Sequence, residues 1–437
     1  MEQEVAVTAL SSGAAGGVVA ELPDAGPEAR GTGGAIGRGG PSGSISAARP
    51  PLIRALNEQL LLEHIRTLGP CSRAELARAS GLSKPTVSLA LGNVERAGLV
   101  QAAGQRTGVP GRSALLYEIR PDAGLVLGLD IGHEYVRGAL ADLAGEVRAR
   151  STLRTRATSV RGRVADLVRL GDVVCDEAGV ARSAITQTVI GSPGVYDPSK
   201  NTMTLTGGLT GWDRPAVLAG LRAAFGESVV IENDVDAEAL AEHALGHGRN
   251  VSDFAFVHVG TGIGMGLVLG GQLRRGVHGV AGEIAFMPLS EGSGADASDA
   301  RKRGEFEAAA AAAAVVRAAR KAGIRGPVTA RRVFDAAARG DDRATAVVAE
   351  EARLVAKAIC VVITVVDPEL IVLGGGIGQA PGFADAVSAQ LQTLAPVRPP
   401  VRVSALGSDA VVDGCLAAGG DLAWKRLMAA LPTGTPA

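Results

Sequence analysis

Three glycine-rich turns constrain this 437-residue chain more than any other feature. Each closes an apolar run rich in branched residues: LGLDIG over 127–132, FVHVGTGIG over 256–264 and ELIVLGGGIG over 369–378. Glycine after a strand lets the backbone turn, or approach a ligand, where a side chain would block it. One such turn is weak evidence, but three in order indicate an α/β body. Other apolar runs (VRGALADL, TQTVIGSPGV, SVVIEND) alternate with stretches of helical spacing such as PAVLAGLRAAFG and DRATAVVAEEARLVAKAICVVI. The roughly 300 residues after Pro121 suffice for two lobes.

The N-terminal third has a different texture. Residues 1–50 are dominated by Gly, Ala, Ser and Pro without an apolar period, a composition expected to stay disordered. LIRALNEQLLLEHIRTLG then sets Leu52, Leu56, Leu60, Leu61, Ile65 and Leu68 at helical spacing, up to Gly69-Pro70. Next, Ser72 and Glu75 form a capping-box pattern, Gly81 breaks the helix, and Ser83 with Pro85 starts another. Two strand-like runs, LVQAAG and ALLYEI, flank the basic loop QRTGVPGRS. This order predicts a winged helix-turn-helix over 51–120. Its charge agrees: from Leu52 to Arg120, nine Lys+Arg against five Glu give 9 − 5 = +4, whereas the whole chain carries 44 Lys+Arg against 45 Asp+Glu. A basic module on a near-neutral body is the footprint of a local DNA-binding surface.

Composition excludes several other classes. Cys71, Cys175, Cys360 and Cys415 are too scattered for a metal knuckle and too few for a disulfide scaffold, which suits a reducing compartment. The start MEQEVAVTAL lacks a basic n-region, and the longest apolar run, Ala358 to Val366, is too short to cross a bilayer. A cytoplasmic protein without membrane contact is expected.

Candidate functional residues fall in both parts. Ser83, Lys84, Thr86 and Ser88 cluster where a recognition helix meets base edges; the plainer reading is a solvated helix start. Arg106 and Arg112 flank GVPG, where arginines can enter a minor groove or hold phosphates; a merely soluble hairpin is the alternative. In VVIENDVDAEAL, Asn233-Asp234 sits where a strand gives way to a helix, the edge at which α/β folds bind ligands. Glu283 follows a glycine turn in GVAGEIAFMPL. A helix cap and a surface charge are the plainer roles of Asp234 and Glu283. His243, His247 and His258 are expected in surface or core roles rather than as metal ligands.

Together these residues resemble the ROK family, named for repressors, open reading frames and kinases, from about Leu52 to Leu427. The resemblance implies a multidomain α+β chain, with the winged helix-turn-helix followed by a two-lobed α/β actin-like (ribonuclease H-like) ATPase or sugar-kinase fold. Lobe 1 would take 121–232 plus about 412–430, and lobe 2 would take 233–411. It implies that Asn233, Asp234, Glu283 and Glu307 (in GEFEAAAA) contact sugar hydroxyls, Asp234 being the kinases' general base. Asp130, Gly132, Gly260, Thr261, Gly262, Gly374 and Gly375 fall where the kinases handle nucleotide.

The departures from the kinase pattern matter as much. His133 and Glu134 replace the second Gly and the Thr of DxGGT, setting a carboxylate where phosphate should approach. The kinases' ExGH reads Glu283-Ile284-Ala285-Phe286, and no Cys or His lies between Phe286 and Glu305. The four soft or imidazole ligands of a structural zinc are missing. The nucleotide residues are therefore expected to be vestigial, with no catalytic residue, no metal, and neither zinc nor ATP as cofactor. The function implied is a sugar-responsive transcriptional regulator, most simply a repressor of carbohydrate-metabolism genes. Its partners would be double-stranded operator DNA, a sugar or sugar-phosphate effector, and further copies of itself as a homodimer or homotetramer. An ATP-dependent hexose kinase with an appended DNA-binding domain is the alternative.

Overall fold

The computed structural model describes residues 50–106, 114–197, 200–206, 209–288 and 297–430. The arm preceding Pro50 and the loop residue Arg112 lie outside them. The head begins with α1 (Pro50–Leu68), β1 (Cys71–Ser72), α2 (Arg73–Ser80) and α3 (Lys84–Arg96), and ends with β2 (Val100–Arg106) and β3 (Ala114–Ile119). The strands pair in the order β1-β3-β2. Ser72 caps α2: its Oγ accepts from the Glu75 amide (3.3 Å), while Glu75 Oε2 accepts from the Ser72 amide (2.9 Å). Gly81 turns the chain at φ 69°, and Ser83 caps α3. The buried stripe of α1 is Ala55, Glu58, Leu61, Leu62 and Ile65, whereas Leu56, Leu60 and Leu68 of the expected stripe are exposed.

The body contains two five-stranded sheets with the same winding. The first holds β4 (Leu125–Ile131), β5 (Tyr135–Asp142), β6 (Val147–Arg154), β7 (Ile185–Ser192) and β10 (Val230–Asn233), ordered β10-β7-β4-β5-β6. The short strands β8 (Val195–Asp197) and β9 (Thr202–Thr204) pair separately. The second sheet holds β11 (Phe254–Val259), β12 (Ile263–Leu269), β13 (Gln272–Leu273), β14 (Leu370–Gly374) and β15 (Val401–Val403), ordered β13-β12-β11-β14-β15. In each, the first strand is central, the next two run antiparallel beside it, and the last two extend the other edge in parallel.

Helices cover both sheets. On the first, α4 (Val160–Ala178) and α5 (Pro215–Phe225) bury Leu167, Leu170, Val174, Val217 and Leu221 against the alternate residues Leu125, Leu127, Leu129 and Ile131 of β4. The second is covered by a layer comprising α8 (Glu305–Ala310), α9 (Ala312–Lys321), α10 (Ala330–Ala338), α11 (Asp342–Val366), α12 (Gly375–Gly378) and α13 (Phe383–Leu394), with α7 (Ala297–Arg303) set beside α8. Between the sheets run α6 (Asp234–Leu245) and α14 (Ala410–Ala429), packed along each other. Their approach needs Gly414: a Cβ there would lie 1.8 Å from the Ala237 carbonyl oxygen. No helix among the described residues is long and apolar enough to cross a membrane.

Candidate functional site

The carboxyl ends of β7, β10 and β11, with His133 just after β4, meet around one cleft, where open α/β sheets bind ligands. Its volume is about 660 Å³. Asn233, Asp234, Glu283 and Glu307, separated by up to 74 residues (307 − 233), all line it, as do Thr261 and Gly262. Asn233 ends β10 and also caps α6, its Oδ1 accepting from the amides of Val235 (2.9 Å) and Asp236 (3.0 Å). Asn233 therefore carries the cap expected of Asp234, whose own carboxylate accepts only locally, from Val235 (3.0 Å). Glu307 Oε2 accepts from the Ile263 amide (2.9 Å), tying α8 to the turn after β11. Glu283 precedes a 3-10 turn, Ile284–Phe286, that also delivers Phe286 to the cleft.

The electrostatics are those of crowded carboxylates. Burial, then the neighbouring Asp234 and Glu307, pushes Glu283 up to about 7. Burial and Glu238 also raise Asp234. Asp236 rises to about 8 through burial and Glu232, although Arg275 opposes this. His258 balances the cluster. Burial works against its charge, but Glu238, which meets Nδ1 at 2.7 Å, and then Asp234 and Glu307 lift it to about 9. The expectation that His258 would serve at the surface or in the core is thus corrected: it lines the cleft as an imidazolium. A signal was present in FAFVHV, where Phe254, Phe256 and His258 share one strand face, a polar group ending an apolar row.

The expected nucleotide side is internally satisfied. Asp130 and Arg137 are direct register partners across β4 and β5, and Arg137 Nη1 lies 3.2 Å from Asp130 Oδ2. Burial nevertheless raises Asp130 to about 7, with Asp234 adding to the rise and Arg137 opposing it. The Gly132 amide donates to the Tyr135 carbonyl (3.0 Å), and the Gly132 carbonyl accepts from Arg163 (3.1 Å). The carboxylate and the amide that a metal–nucleotide would use here are thus engaged within the chain. Glu134, expected where phosphate would approach, is exposed and absent from the cleft lining, where His133 stands instead. Gly260 and Gly375 meet around the His258 ring, where a Cβ on either would come within 2.8 or 2.9 Å of its Nε2, while Gly374 faces the Phe256 ring. Zinc does not fit, since Ile284, Ala285 and Phe286 offer no side-chain donor.

The head presents a second candidate surface. Lys84, Ser83 and Ser88 are exposed at the start of α3, with Thr86 partly so. Ser83 Oγ is 2.8 Å from Thr86 Oγ1, so these two hydroxyls are shared with the cap. Arg106 is ion-paired with Glu75 of α2. α14, which packs on α6, also reaches the head. Trp424 of that helix is buried in the head core beside Leu61, Leu62, Ile65 and Tyr117, and its indole N–H donates to Glu63 (3.2 Å). Arg66 adds a 2.9 Å bond to Asp421.

Known proteins bear out the body. A putative xylose repressor from Caldicellulosiruptor sp. is 29% identical over 239 residues, 54% of this chain and 60% of that protein. The chain thus spans about 60% of the length of the curated relatives it first matches. The ROK hexokinase of Thermus thermophilus superposes with a TM-score of 0.59 at 30% identity, covering 68% of this chain and 97% of that one. A ROK family transcriptional regulator, a homologue of the E. coli MLC protein, superposes with a TM-score of 0.71 at 22% identity, covering 86% and 98%. The actin-like sugar-kinase fold of the body is therefore shared, and the ROK family pattern itself matches residues 126–417, so the chain belongs to the ROK family.

Proposed function

We infer that this protein is a sugar-responsive, DNA-binding transcriptional regulator, most simply a repressor of carbohydrate-metabolism genes. Residues 51–120 act as a winged helix-turn-helix that reads operator DNA through Ser83, Lys84, Thr86, Ser88, Arg106 and Arg112. Lobe 1 (121–232 plus about 412–430) and lobe 2 (233–411) close on a sugar or sugar phosphate held by Asn233, Asp234, Glu283 and Glu307. Asp130, Gly132, Gly260, Thr261, Gly262, Gly374 and Gly375 are vestiges of a nucleotide site. The regulator works in the cytoplasm as a homodimer or homotetramer on a pseudo-palindromic site.

One observation carries this reading. α6, which begins at the Asp234 of the cleft, packs on α14, and α14 places Trp424 inside the head core. A ligand that prefers one setting of α6 thereby biases the head, and such differential affinity is all that coupling requires. The xylose repressor among the relatives supports the same reading.

Recovery of genomic fragments by the purified protein tests the DNA half, with a Lys84→Ala, Arg112→Ala double variant as control. Enrichment equal in both proteins would refute the docking face. For the effector half, a sugar should shift operator affinity in the wild type and not in Asp234→Ala. The hexokinase relative favours a kinase instead, whereas the Asp130–Arg137 pair opposes it. Sugar-dependent ADP release abolished by Asp234→Ala would establish the kinase.

A further inference from the structure

Two cleft side chains are placed unusually. Leu205 holds φ at 53°, a left-handed backbone that bulky residues rarely adopt, and it stands 41% exposed on the cleft wall. Strain of this kind persists only where the surroundings impose it, and it gathers at ligand clamps. Here the surroundings are β9, paired with β8 up to Thr204, and the turn in which the Leu209 amide donates to the Thr206 carbonyl (3.1 Å). Strand alternation would put Leu205 on the same face as Met203, which is buried in the core of the first sheet. The left-handed turn breaks that alternation and releases Leu205 into the cleft.

Phe286 reaches the same cleft from the other side of the molecule. Its turn buries Ile284 and Ala285 yet leaves Phe286 43% exposed. Residues three apart eclipse in a 3-10 turn, so the ring stands on the side of Glu283. The cleft thus has a wall of hydroxyl-binding groups (Asn233, Asp234, Glu283, Glu307) and two large apolar groups left wet, one from each sheet's half. An unsubstituted sugar engages the first set and leaves the second in water.

We propose that the ligand of this cleft is a glycoside whose apolar aglycone is clasped between Leu205 and Phe286 while its sugar hydroxyls meet the carboxylates. This rests on the sugar-binding reading above and narrows it. An aryl aglycone would bury both side chains, removing apolar surface from water and giving Phe286 a ring to stack against.

Calorimetry on the full chain tests it with D-glucose, D-xylose and D-galactose beside their phenyl β-glycosides. For at least one sugar the phenyl glycoside should bind about tenfold or more tightly than the free sugar. In Phe286→Ala, and independently in Leu205→Gly, which accepts the left-handed backbone without strain, that ratio should fall toward one. Equal affinity of sugar and glycoside in the wild type overturns the aglycone site and leaves the sugar reading standing. A ratio unchanged in both variants also overturns it, because the preference then lies elsewhere. No saturable heat with any of the six probes overturns this proposal together with the sugar reading beneath it.

Discussion

Trp424→Ala puts the proposed coupling to its sharpest trial. The indole comes from the body's last helix but is buried in the head core. Truncating a buried Trp to Ala costs about 3–5 kcal/mol in lost transfer energy and residual cavity. Glu63 is not orphaned, because Arg66 still binds it at 3.1 Å, so no unpaired buried charge adds to that figure. The exposed Arg66–Asp421 bridge, worth about 0–1 kcal/mol, cannot replace the loss. Allosteric couplings amount to about 1–3 kcal/mol, or roughly 5–150-fold in affinity. A docking loss larger than the whole coupling should therefore uncouple the head. Operator binding would persist, effector binding would persist, and the effector's change in operator affinity would shrink toward one. Fluorescence anisotropy on operator DNA with and without effector reads this directly. Trp424→Phe, which keeps a ring but loses a hydrogen bond worth about 0.5–1.5 kcal/mol, should fall between wild type and Trp424→Ala. A full effector response in Trp424→Ala, with the head still folded by circular dichroism, would refute α14 as the link.

Other expectations follow from the same structure. Lys84→Ala should weaken operator binding and lower the slope of log affinity against log salt by about one, which titration between low and physiological salt measures; an unchanged slope would remove Lys84 from the phosphate contacts. Gly414→Ala would set a Cβ 1.8 Å from the Ala237 carbonyl and force α6 off α14, at a typical overpacking cost of about 1–3 kcal/mol. Its melting temperature should drop and its effector response should fall with it. Stability should decline as pH rises. Asp130, Asp236 and Glu283 have folded values near 7, 8 and 7, above their ordinary 3.8 to 4.5, so the native state binds more protons through that window. His258, raised from 6.5 to about 9, likewise contributes stability that is complete below pH 6.5 and lost through 9. Chemical denaturation at pH 5, 7 and 9 should show this fall, and Asp236→Asn should flatten its part of it; a flat or rising profile would contradict the assigned shifts.

Local signals were legible in the sequence, and signals set across the fold were not. The caps at Ser72 and Ser83 and the break at Gly81 depend on neighbours within a turn, so their residue types suffice. The buried face of α1 depends on what packs against it. Leucines nearly encircle that helix, and the side turned inward carries Glu58, hydrogen-bonded to Asn93 of α3, while Leu56 and Leu60 face out. β1 is two residues long and exists through its pairing with β3, some 45 residues on (117 − 71 and 116 − 72), so no local pattern announces it. Asp130 and Arg137 could have been found, since folding GLDIGHEYVRG into a hairpin sets them opposite each other. The His258–Glu238 pair joins β11 to α6 across a sheet face, and no spacing rule links those positions.

This division explains why a kinase-like glycine signature does not by itself imply kinase chemistry. The glycines that make the signature also serve packing: a Cβ on Gly374 would strike the Phe256 ring at 2.2 Å, and one on Gly375 would lie 2.5 Å from the Val259 carbonyl oxygen. Selection for a stable body is enough to keep such residues. The chemistry rests on side chains that packing leaves free to change, and the departures read from the sequence are His133 and Glu134 at the first turn and Phe286 beside Glu283. Packing therefore preserves the two sheets and the α6–α14 contact between them, the parts the proposed regulator would need to turn ligand binding into motion of the head. On the proposed regulator reading, substitutions at His133 and Phe286, which line the cleft, would alter what it binds and leave that transmission intact.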